Sequence, residues 1–119
     1  MHDLEKLNVY QRALKFSSQV RKNTKQFPKD EMFVLTSQFR RAADSIVLNV
    51  AEGAGDNSKK EFSKFIVYAI RSGYECLGCL DISNEEKYMS ADEHHALSAE
   101  LKEIISMLVG LRRSLLKQS

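Results

Sequence analysis

The segment Leu35–Gly55, LTSQFRRAADSIVLNVAEGAG, decides the fold. Leu35, Phe39, Ala42, Ile46 and Val50 recur at steps of three and four, the spacing that gathers apolar side chains on one buried helix face. A second stripe, Gln38, Arg41, Ser45, Asn49 and Glu52, recurs at the same steps, turned by roughly a quarter of a circle at ~100° per residue. A solvent-facing stripe favours Lys and Glu, whereas this one holds Ser and Asn, which are mediocre helix formers. The spacing therefore points to a contact. An intramolecular polar network that fixes helix register, a subunit interface and a ligand or nucleic-acid groove all fit it. Short side chains that both donate and accept suit the first two. Arg41 and Glu52 lie about 16 Å apart along a helix, so each needs a partner from another helix or chain.

Helical periodicity extends on both sides of this segment. Val9, Ala13, Phe16 and Val20 form the seam of a first helix, predicted over Leu7–Thr24 and ended by Lys25–Lys29, KQFPK, whose Pro28 disfavours helix at Phe27. The second helix is predicted to start near Asp30 or Glu31, where acidic residues suit the positive end of the helix dipole, and to close at Gly53 in a left-handed conformation. Ser58-Lys59-Lys60-Glu61 reads as a capping box opening a third helix that reaches about Lys87. Its Gly73, on the apolar face, marks the close approach of a neighbouring helix. Ser90-Ala91-Asp92-Glu93 opens a fourth, where Leu97, Leu101, Ile104, Leu108, Leu111 and Leu115 repeat at alternating four and three. Four amphipathic helices with short loops predict an all-α, antiparallel up-down-up-down four-helix bundle, a single domain over residues 1–119.

Composition fits that reading. Of the 119 residues, 43% are apolar and 29% charged, with one Pro and five Gly, a balance that sustains a core without metal or disulfide staples. No apolar run approaches the ~18 residues of a membrane span, and MHDLEKLNVYQ carries no signal-peptide core, so the expectation is a cytoplasmic protein without membrane contact. Net charge is only +2, but it is uneven: residues 1–79 carry +4 and residues 80–119 carry −2.

These residues carry a resemblance. Tyr10–Leu14 (YQRAL), Phe27–Glu31 (FPKDE), Leu35–Gly55 and Ser58–Phe62 (SKKEF), in this order, resemble the bacterial four-helix bundle family of 23S rRNA intervening-sequence proteins. The resemblance covers almost the whole chain, with Leu35–Phe62 its most specific part. It implies a four-helix bundle assembled as a ring of five, a homopentamer, with no enzymatic activity. It also implies kinship in fold with the accessory variability proteins of diversity-generating retroelements, which bind a reverse transcriptase and nucleic acid through basic surfaces. The partners expected on this basis are further copies of the chain, RNA or DNA, and a nucleic-acid-handling protein. Two positions depart from the family: Val47 stands where many members have Pro, and Asp56 where many have Arg. The first favours an unkinked second helix. The second removes a positive charge from the loop.

Candidate nucleic-acid contacts are Arg12, Lys15 and Lys22 on the first helix and Arg40 on the second. Lys59, Lys60 and Lys64 follow on the third, and Arg112, Arg113 and Lys117 on the fourth. Solvated helix faces explain the same residues. In a ring of five, +2 per chain becomes about +10, enough for a long-range field. Few aromatic residues interleave with these charges in the sequence, so base stacking is not indicated. Catalysis and cofactors are not indicated either. Cys76 and Cys79 have a redox spacing but no redox-fold context and no second pair for zinc. His94 and His95 are adjacent and diverge by ~100° on a helix, so they do not chelate together. Gly53-Ala54-Gly55 lacks the Lys and length of a phosphate loop.

Overall fold

The computed structural model describes residues 2–118. Helix α1 spans Asn8–Thr24, α2 Leu35–Ala54, α3 Lys59–Glu85 and α4 Ala91–Gln118, with 3-10 turns at Leu4–Lys6 and Lys29–Glu31; the described residues include no strand. Each helix runs back along the one before it, since its connections are too short for a crossover. The four pack in cyclic order, α1 on α2, α2 on α3, α3 on α4 and α4 back on α1, in a bundle of 45 × 23 × 20 Å. This is the all-α, up-down-up-down architecture that the periodicity predicts.

The apolar seams meet along one continuous core. Phe16, Phe39, Ile46, Phe62, Ile66, Leu80, Leu101, Ile104 and Leu108 are all fully buried. Burial of each such side chain contributes about 1.5–3 kcal/mol. Two glycines let helices approach closely. A Cβ on Gly73 would lie 2.8 Å from Ile105 Cγ1 of α4, and one on Gly53 would lie 2.7 Å from Phe62 Cδ1 and 2.9 Å from Phe65 Cβ of α3. The neighbour expected at Gly73 is thus α4.

Polar clasps tie α1 into the bundle. Arg12 donates from Nε and Nη2 to the Glu100 carboxylate of α4, at 3.0 and 2.6 Å. Arg21 pairs with Asp44 of α2, whose carboxylate also accepts from Ser17. Near the far end Asn23 and Gln26 both donate to Glu93 at the start of α4.

Several boundaries differ from the sequence expectation. Helix α2 starts at Leu35, not at Asp30 or Glu31. The acidic pair lies in a separate 3-10 turn, and Val34, at φ −121° and ψ −99°, breaks the path between them. Gly53 does not close α2 in a left-handed conformation: the helix runs through Ala54, and Gly55 has φ −76°. Gly53 is needed for space against α3 instead. At Ser58 the hydroxyl accepts from Glu61 N–H as expected, but the Ser58 N–H donates to Asp56 at 2.7 Å rather than to Glu61. Asp56 thereby supplies half of the cap. The Ser90–Glu93 box is reciprocal, at 2.8 and 3.0 Å. Helix α3 ends at Glu85, two residues early, and Lys87 takes a left-handed φ of 61°.

Candidate nucleic-acid interface

The antiparallel packing of α3 and α4 sets the first turns of α3 beside the last turns of α4. That juxtaposition collects basic residues far apart in the sequence. Lys60, Lys64 and Arg71 from α3 and Arg112 from α4 line one groove of about 520 Å³, together with Glu61, Ser63, Val67, Tyr68 and Leu116. Four cations therefore face one carboxylate. Among the described residues none of these four cations forms an ion pair. Unpaired guanidinium and ammonium groups in a concave surface focus positive potential there.

The other basic candidates are placed differently. Arg12 is held by Glu100 and lies 3.7 Å from Glu103, and its guanidinium is pushed further above its ordinary value mainly by the Glu100 hydrogen bond. Arg40 donates to Thr24 Oγ1 at 2.9 Å. Both serve contacts within the bundle. Lys59 is half-buried at the start of α3, and Arg113 and Lys117 are exposed near the end of α4, outside the groove lining. Lys15 is exposed on α1, and Lys22 lines a separate α1–α4 groove of about 610 Å³ with Gln19, Asn23, Gln26, Glu93 and Leu97. The structure thus brings Lys60, Lys64 and Arg112 of the sequence candidates together with Arg71, another basic residue of the third helix, and adds Tyr68. The helical spacing of Lys64, Tyr68 and Arg71 was the available signal for Tyr68; the arrival of α4 beside it was not.

The polar stripe lies on the outer side of α2, facing the α2–α3 groove. Asn49 Nδ2 donates to Ser45 Oγ at 3.0 Å and to the Ser45 carbonyl at 2.9 Å, while Ser72 of α3 donates to Ser45 Oγ at 2.8 Å. This short network joins α2 to α3. Gln38, Arg41 and Glu52 are exposed and have no side-chain partner among the described residues. Gln38, Arg41 and Ser45 share a groove of about 600 Å³ with Phe33, Val34 and Glu75. Phe33 is 92% exposed and Val34 62%, an unusual position for two adjacent large apolar residues at the mouth of a polar cleft.

Cys76 and Cys79 are both buried and free. Burial pushes the Cys76 thiol far above its ordinary range and the Cys79 thiol to about 11, the opposite of an activated nucleophile. The described residues contain no group of three His, Cys, Asp or Glu side chains placed to hold a metal ion. His94 Nε2 lies 3.1 Å from Asp81 Oδ1, bridging α4 to α3, and His95 is exposed. No described helix is long and apolar enough to cross a membrane.

Comparison with known proteins agrees with this architecture. The sequence pattern of the family described as 23S rRNA-intervening sequence protein matches residues 5–110. A solved structure of similar fold, described as a protein with unknown function from the S23 ribosomal protein family of Bacteroides thetaiotaomicron, superposes with a TM-score of 0.80. It is 20% identical, and the match covers 86% of this chain and 95% of that one. No curated protein matches the chain.

Proposed function

The chain belongs to the 23S rRNA-intervening sequence protein family, and on that premise we propose that it is a non-enzymatic, self-associating bundle that binds nucleic acid through its α3–α4 groove. The observation that supports this reading is the convergence of Lys60, Lys64, Arg71 and Arg112 on one cleft with a single carboxylate. Contacts of this kind go to phosphates, so binding is weakly sequence-specific and strongly salt-dependent. Assembly into a ring of five, as the family resemblance implies, multiplies the grooves and raises apparent affinity for a long strand.

The test is titration of labelled RNA and DNA at low and moderate salt. Binding that falls steeply with salt and weakens in Lys64→Ala with Arg112→Ala supports the reading. No binding at low salt overturns it.

A second reading, a protein-interaction scaffold, draws on the exposed Phe33 and Val34 beside the unpartnered Gln38 and Arg41. In that case Phe33→Ala changes assembly or partner capture while the groove variants leave both unchanged.

A further inference from the structure

We propose that the α3–α4 groove selects single-stranded over duplex nucleic acid by stacking one base on Tyr68; this rests on the nucleic-acid reading above and adds the form of the strand. Lys64, Tyr68 and Arg71 follow one another at steps of four and three on α3, which sets the aromatic ring between two cations on one helix face. All three line the groove, with Val67 beside them and Leu116 contributed by α4. Tyr68 is 39% exposed, and its ring stands perpendicular to that of Phe65 with centroids 5.9 Å apart, a contact that steadies it.

The lining therefore joins apolar and aromatic surface to unpaired cations. A duplex presents phosphates outward and keeps base faces in its own stack, so Val67, Tyr68 and Leu116 would gain nothing from it. A single strand offers both surfaces at once: phosphates to Lys60, Lys64, Arg71 and Arg112, and a free base face to the Tyr68 ring. Size points the same way. A cleft of about 520 Å³ has the volume of a small-molecule pocket, the scale of a nucleotide or two rather than a double helix. Lys60 and Arg71 are about 16 Å apart along α3, the reach of a few nucleotides. Because every base has a π-face, the contact tolerates any sequence.

Fluorescence anisotropy of a labelled mixed-sequence single strand and of its annealed duplex tests this on the full chain. The single strand is expected to bind about tenfold or more tighter than the duplex. Tyr68→Ala and Tyr68→Leu are expected to weaken it about fivefold or more, and Tyr68→Phe to retain binding within about twofold. The Leu variant keeps the apolar bulk, so it separates loss of the π-face from loss of packing, and circular dichroism checks that each variant is folded. Lys64→Ala with Arg112→Ala is expected to weaken binding and flatten the salt slope by about 1.4, two contacts' worth on a single strand. Equal affinity for strand and duplex, or wild-type affinity in both Tyr68→Ala and Tyr68→Leu, overturns the stacking proposal and leaves the basic groove standing. Absence of binding to either form at low salt overturns both. Competition by polyglutamate as effective as that by the unlabelled single strand also overturns it, making the groove a site for acidic peptides.

Discussion

Arg21 of α1 and Asp44 of α2 form a two-pronged ion pair, with Nη1 donating to Oδ1 at 2.7 Å and Nη2 to Oδ2 at 2.6 Å. The Arg21 hydrogen bonds, aided by Ser17, hold the Asp44 carboxyl below its ordinary value against the opposing effect of burial. A carboxylate held low in the folded state stabilises it above its unfolded-state pKa of about 4, and that contribution disappears as pH falls through the folded value. Asp44→Asn is therefore expected to lower stability by roughly 1 kcal/mol at neutral pH, as suits a partly exposed pair. Denaturant melts of variant and wild type should converge on acidification below about pH 4. A constant gap from neutral to strongly acidic pH would show that the pair contributes packing but no linkage.

The glycines divide into two classes with opposite outcomes. Gly53→Ala and Gly73→Ala each place a methyl under 3.0 Å from a core side chain, so each is expected to destabilise by about 1–3 kcal/mol. Gly78 is exposed on α3, and a methyl added there would meet nothing within 4 Å. Gly78→Ala is therefore expected to stabilise by up to about 1 kcal/mol. Thermal melts of the three variants check both signs. A destabilising Gly78→Ala would reveal a close neighbour of Gly78.

Neither thiol is expected to react while the bundle is closed. With Cys79 pushed to about 11, its thiolate is about one part in a thousand at pH 8, and Cys76 is more strongly disfavoured. Labelling by a chromogenic disulfide reagent should be slower by orders of magnitude in the native protein than in guanidinium. Rapid stoichiometric labelling of the native state would reopen a redox role for the pair.

Assembly has its own test at the α2–α3 face. Phe33, being almost wholly exposed, contributes little to the fold of one chain. Phe33→Ser is expected to leave the helical signal and the monomer core intact and to shift the oligomer towards smaller species in native mass spectrometry. A wild-type chain that is monomeric at micromolar concentration would refute self-association. Gln38, Arg41 and Glu52 would then be a solvated face.

Much of this fold is legible in the chain because long periodic segments and caps agree with one another. Phe16, Phe39, Ile46 and Leu101 fall on the buried sides their spacing assigns, and Gly73 meets the neighbour it implies. The start of α2 is not legible. Asp30 and Glu31 suit a helix N-terminus, and they do open a helical turn, but Met32–Val34 interrupts it before Leu35. The groove was legible only in halves: Lys60 and Lys64 belong to α3 and Arg112 to α4, and only the register of those two helices unites them. Tyr68 escapes a sequence reading for the same reason, since an aromatic residue gains meaning from what faces it.

The seam between α1 and α4 is the least extensive of the four helix contacts, and toward the Asn23 end it opens into a groove. The Arg12–Glu100 and Asn23–Glu93 clasps that cross it are both within reach of water. Helix α3, by contrast, packs broadly on both α2 and α4. Helix α1 is therefore expected to open at lower free energy than α3. Amide hydrogens of α1 should exchange with solvent well before those of α3, and a protease should meet its first cleavable state there. The first helix is thus expected to be the weakest cooperative unit of the bundle, the first to admit solvent.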